Sequence, residues 1–133
     1  MKLLLDTHVW IWSQESPEKL GKEARRLLVD GKSTNHVATV SVLELARLVA
    51  AGDIFLNRPL PAWVETAVEE LHAEELAMSR EIAAEAYALP GEFHRDPADR
   101  ILVATARRES LTLLTADPRI LSYPHVKALD ARR

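Results

Sequence analysis

The sequence predicts an α/β fold with a mostly parallel sheet and helices on both of its faces. Two observations point there. Short, near-continuous apolar runs, as in strands buried on both faces, alternate with longer stretches of helical periodicity. In addition, four acidic residues, Asp6, Glu44, Asp99 and Asp117, stand just past or near the ends of short apolar runs. Ligands of open α/β sheets bind in the crevice beyond the carboxyl ends of the strands, so acids delivered there from separate β-α units would converge on one spot.

The elements follow in order. Lys2–Leu5 reads as a buried strand ending in Asp6, and Thr7–Ser13 begins a short helix. Ser16-Pro17 has the form of an N-cap followed by proline at the first helical position. Residues 23–29 continue as an amphipathic helix that stops at Asp30-Gly31. A second strand over residues 35–39 leads into a helix from Val42 to Ala51, ended by Gly52, and residues 53–59 are irregular. Residues 62–72 carry Trp63, Ala67, Val68 and Leu71 on one helical stripe. Leu76–Met78 is a candidate short strand, and Ser79 caps a helix through Ala88 that Pro90-Gly91 terminates. Asp96-Pro97 starts a helix to about Glu109, apolar on most sides from Ile101 to Ala106 and therefore central. Leu111–Thr115 is a strand turning at Asp117-Pro118, and Val126–Leu129 is a last short one.

The 133 residues fit one domain, 1–133, with no repeat, low-complexity tract or linker. There are no cysteines, which excludes disulfides, thiolate metal sites and thiol nucleophiles. Asp6 cuts the apolar run of Met1–Leu5 far below the length of a signal core, and no stretch approaches a membrane span, so the expected location is the cytoplasm. A net charge of −3 does not announce a nucleic-acid binder and does not exclude one, because a cluster of active-site acids lowers the total. Arg95, Arg100, Arg107, Arg108 and Arg119 fall where they could flank a site or simply form a solvated surface.

Gathered acids repel, and some must stay protonated, unless a cation sits among them. A hard divalent ion taking oxygen ligands is the natural reason to collect them. Each acid also has a local reading. Asp6 and Asp117 could be helix N-caps, and Ser41-Val42-Leu43-Glu44 matches a capping box in which the glutamate reaches back to the cap amide. In Asp96-Pro97-Ala98-Asp99, Asp96 is the expected cap and Asp99 the expected ligand. Thr115 could place a hydroxyl beside the cluster. His8 and His94, next to carboxylates, could touch a phosphate if protonated, or play a supporting role. Of Trp10 and Trp12, two positions apart on a helix and so on different faces, one is expected in the core, and Trp12 is more simply a core residue than an interface one.

Leu4-Leu5-Asp6-Thr7-His8-Val9-Trp10, Ser41-Val42-Leu43-Glu44, His94-Arg95-Asp96-Pro97-Ala98-Asp99-Arg100 and Leu114-Thr115-Ala116-Asp117 together resemble the ordered motifs of PIN domains, and most of all VapC-type toxins of bacterial toxin–antitoxin pairs. Any one motif is weak; four in series over nearly the whole chain are specific. The resemblance implies a three-layer α/β/α domain and a Mg²⁺- or Mn²⁺-dependent endoribonuclease. It implies Asp6, Glu44, Asp99 and Asp117 as the catalytic, metal-holding acids, with Thr115 and Asp96 in support. His8, His94, Arg95 and Arg100 would then be candidates for contacting RNA. It further implies a homodimer neutralised by a cognate antitoxin. A degenerate PIN domain that only binds RNA or a protein is the alternative. Haloacid-dehalogenase phosphatases need a second aspartate where His8 stands, and phospho-receiver domains need a lysine that is absent after Leu111–Thr115.

Overall fold

The computed structural model describes all residues 1–133. Five strands form one parallel sheet: β1 (Lys2–Leu5), β2 (Thr34–Ala38), β3 (Glu74–Leu76), β4 (Thr112–Thr115) and β5 (Ala128–Asp130), in the order β3-β2-β1-β4-β5. The chain winds outward from β1 to β3 and then returns to the other side of β1 with β4. The reversal leaves a crevice between the carboxyl ends of β1 and β4.

Alternation along the strands divides the core into two layers. Leu3, Leu5 and Leu114 face one side, against α1 (Thr7–Glu15), α2 (Lys22–Val29) and α4 (Leu60–Glu70), where Trp10 packs edge-on against Trp63 at 5.2 Å. Leu4 and Leu113 face the other, against Leu102, Val103 and Ala106 of α6 (Pro97–Arg108) and Ile120 of α7 (Pro118–Leu121). The helix α5 (Arg80–Glu85) covers α6 through Ile82. The helix α3 (Thr39–Ala50) sits at the end of β2 and contributes Val40 to one layer and Leu45 to the other. The expected three layers are present, and every strand pair is parallel.

Four local expectations change. β3 occupies Glu74–Leu76 rather than Leu76–Met78, because its backbone pairs with residues 36–38 of β2. Pro17–Lys19 is a single 3-10 turn, Ser16 makes no side-chain cap, and α2 starts separately at Lys22. Trp10 is fully buried, but Trp12 is only half-buried, between His8 and Lys19. The capping box at Ser41 is not formed. β2 runs directly into α3, which begins at Thr39 with Ala38 as a cap that has no side-chain acceptor, so Ser41 lies inside the helix and is fully buried. Gly52, at φ 76°, ends α3 as expected. No helix is long and apolar enough to cross a membrane.

Candidate active site

The acids reach the crevice from four different helix starts, with Asp96 and Asp99 sharing that of α6. Asp6 is the first residue after β1 and caps α1: its Oδ1 accepts the Thr7 N–H at 2.8 Å. Its Oδ2 accepts the Thr115 hydroxyl at 2.6 Å, which ties the carboxyl ends of β1 and β4 together. Asp117 caps α7 by accepting the Arg119 N–H at 2.8 Å. Asp96 caps α6, accepting the N–H groups of Ala98 and Asp99 at 2.9 and 3.2 Å. For these three, capping and site placement are one geometry: a helix that starts at the sheet's carboxyl edge aims its N-cap carboxylate into the crevice. Asp99, at the third position of α6, and Glu44, one turn into α3, cap nothing and point into the same pocket of about 240 Å³.

The electrostatics follow from this crowding. Burial, followed by the charges of Asp6, Asp96, Glu44 and Asp117, pushes the Asp99 carboxyl up to about 7. Burial also raises Glu44, with Asp6 and Asp96 adding and the Thr7 hydroxyl partly offsetting. For Asp117 burial pushes upward but is outweighed by the hydrogen bonds and charge of Arg119, so its carboxyl lies below the ordinary range. Ligand atoms of His94, Asp99 and Asp117 lie within 4.8 Å of one another. His94 Nε2 is 3.2 Å from Asp99 Oδ2, sealed from solvent and without a hydrogen bond. Burial, then the Arg119 charge, holds the His94 imidazolium below its usual pKa.

An excess of buried oxygen donors, two of them reluctant to ionise, fits a hard divalent cation: the ion removes the repulsion that raises them. Asp6, Glu44, Asp99 and Asp117 would hold it, with His94 beside Asp99 and Asp117.

Two of the candidates for RNA contact change role. The Arg100 guanidinium donates to the carbonyls of His94, Ala86 and Phe93 at 2.8–3.0 Å and lies over the Tyr87 ring. It braces the loop before α6 and is not free for a phosphate. His94 faces inward to Asp99 rather than outward. His8 accepts the Ala116 N–H at Nε2, 3.3 Å away, which leaves its proton on Nδ1, 3.7 Å from Asp6. Arg95 is exposed on the loop beside the pocket. Sequence reasoning missed Thr7, whose Oγ1 lies between Ser41 Oγ at 2.8 Å and Glu44 Oε1 at 2.5 Å and donates to the carboxylate. The only sign of it was a hydroxyl directly after Asp6.

The family model of the PIN domain matches residues 3–126. The chain belongs to the PIN domain family. This PIN domain is 35% identical over 123 residues to Ribonuclease VapC22 of Mycobacterium tuberculosis, covering 92% of each chain. In fold it resembles VapBC2 from Rickettsia felis bound to a promoter DNA fragment, with TM-score 0.72, 14% identity and 97% and 98% of the two chains covered. It also resembles a toxin–antitoxin complex from Klebsiella pneumoniae, with TM-score 0.65, 19% identity and 97% of each chain covered.

Proposed function

We propose that this PIN domain is a Mg²⁺- or Mn²⁺-dependent endoribonuclease, acting in the cytoplasm as the toxin of a toxin–antitoxin pair. The observation that carries the reading is the convergence of Asp6, Glu44, Asp99 and Asp117, from four separate elements, on one pocket with Asp99 pushed up to about 7. The likeness to a ribonuclease over 92% of both chains supports the reaction class. The likeness to VapBC and toxin–antitoxin complexes supports a cognate antitoxin as partner, and a homodimer as the working unit belongs to the same reading.

A bound divalent ion supplies a water of lowered pKa and neutralises charge on the phosphate oxygens. The chain's own groups do the rest. The Thr115 hydroxyl and the Thr7 N–H together fix both oxygens of Asp6, so that carboxylate is set before any ligand arrives. Thr7 Oγ1 holds Glu44 by Oε1 and leaves Oε2 to take a proton from the attacking water. The Asp96 cap holds the first turn of α6 and with it the position of Asp99. Arg95, exposed at the rim, is placed to hold the RNA backbone, the contact that positions substrate without reading its sequence.

Purified protein incubated with RNA should cleave it in Mn²⁺ or Mg²⁺ and stop in excess chelator, and Asp6→Asn should not cleave under any condition. Undiminished cleavage in chelator would overturn the reading and point to attack by the RNA's own 2′-hydroxyl.

A further inference from the structure

Arg119 is the one arginine or lysine among the side chains that line the acidic pocket. Its Nη2 is 3.0 Å from Asp117 Oδ2 and 3.6 Å from Asp99 Oδ2, and its Nε is 3.2 Å from Asp117 Oδ1. One guanidinium therefore bridges the two carboxylates whose ligand atoms, with that of His94, lie within 4.8 Å of one another. The side chain is 59% exposed, and its guanidinium hydrogen-bonds only to Asp117, so it can swing outward without unpacking anything. The bond from the Arg119 backbone N–H to Asp117 is separate and survives that swing.

We infer that Arg119 is a displaceable internal cation: it latches Asp99 and Asp117 in the metal-free pocket, and the metal releases it to the rim, where its guanidinium takes an RNA phosphate. The inference rests on the metal-dependent ribonuclease reading. A divalent ion and a guanidinium cannot share the same two carboxylates at short range without strong repulsion, so each weakens the other's hold. Freed, the planar fork of arginine suits a phosphate better than any other side chain does. Of the other arginines near the pocket, Arg100 is committed to three backbone carbonyls and Arg107 and Arg108 to Glu85, so only Arg95 would share the rim with it. The same side chain would thus oppose metal loading and assist substrate binding, so entry of the metal would prepare the rim for RNA.

The test measures Mn²⁺ binding to the RNA-free protein by titration calorimetry for the wild type, Arg119→Gln and Arg119→Lys, and then KM and kcat on RNA at saturating Mn²⁺. Arg119→Gln should bind Mn²⁺ roughly five- to ten-fold more tightly at low salt, as expected when two ion pairs made by an exposed arginine are removed, with the gap narrowing as NaCl is raised. It should also raise KM more than it lowers kcat. Arg119→Lys keeps the charge but not the fork, and should fall between the two in Mn²⁺ affinity. Unchanged or weaker Mn²⁺ binding by Arg119→Gln would overturn the latch, as would an Arg119→Lys indistinguishable from it. An unchanged KM would overturn the phosphate contact. Failure of the wild type itself to bind Mn²⁺ would instead sink the metal-dependent reading beneath the inference.

Discussion

Replacing Asp99 by asparagine removes a charge that the metal-free pocket carries at a cost to stability. The folded carboxyl keeps its proton up to about pH 7, against an ordinary value of 3.8 for the unfolded chain. Between those limits the folded state holds a proton that the unfolded state has released, so this group's contribution to stability falls as pH rises. Below about pH 4 both states are protonated and the penalty vanishes; above about pH 7 both are ionised and it is complete. At 1.36 kcal/mol per pH unit the difference is about 4 kcal/mol. The pocket is open to solvent at its mouth, and screening there reduces the expectation to roughly 2 kcal/mol. In excess chelator, Asp99→Asn should therefore be about 2 kcal/mol more stable than wild type at pH 8, a rise of about 6 °C in melting temperature. By pH 4 the advantage should shrink to about 0.5 kcal/mol. Urea unfolding of both proteins at several pH values measures it directly. An advantage independent of pH, or a less stable variant at pH 8, would refute the claim that Asp99 is held against its neighbours' charge.

Asp96→Ser should keep most of the activity, since serine also caps α6, while Asp99→Ser should lose it; an inactive, folded Asp96→Ser would move Asp96 into the reaction itself. Thr7→Val removes the hydrogen bond that opposes the rise of Glu44, so the acid limb of the activity profile should move to higher pH, as initial rates across pH would show. Arg100→Ala strips three backbone carbonyls of a charged donor and should cost about 3 kcal/mol in urea unfolding; a near-neutral result would mean that the loop before α6 does not depend on it. Saturating Mn²⁺ should raise the melting temperature of wild type and leave that of Asp6→Asn almost unmoved, because a ligand stabilises only the state that binds it.

How much was legible depended on how local the cause is. The alternation of apolar runs with helical stripes is set by burial at neighbouring positions, so β1, β4, α6 and the parallel α/β architecture could be read directly. The caps Asp6, Asp96 and Asp117 were equally readable, because an N-cap bonds to backbone one to three residues away. The capping box at Glu44 failed because the start of α3 is decided by where β2 leaves the sheet, not by the four residues that match the pattern. β3 slipped by two residues for a similar reason: its position comes from pairing with β2, and Glu74 and Glu75 hardly announce a strand.

The sequence by itself determined which acids exist, that they follow separate strands and helix starts, and that their donor set is oxygen. Only the tertiary structure decided what they do to one another. The strand order β3-β2-β1-β4-β5 brings Asp6 and Thr115 within 2.6 Å across 109 positions of chain, and no pattern in either segment encodes that distance. Burial and mutual charge then raise Asp99, the Thr7 hydroxyl orients Glu44, and side-chain direction sends Arg119 into the pocket while Arg100 turns to backbone carbonyls. Those outcomes depend on dielectric, distance and rotamer, which exist only once the layers have packed.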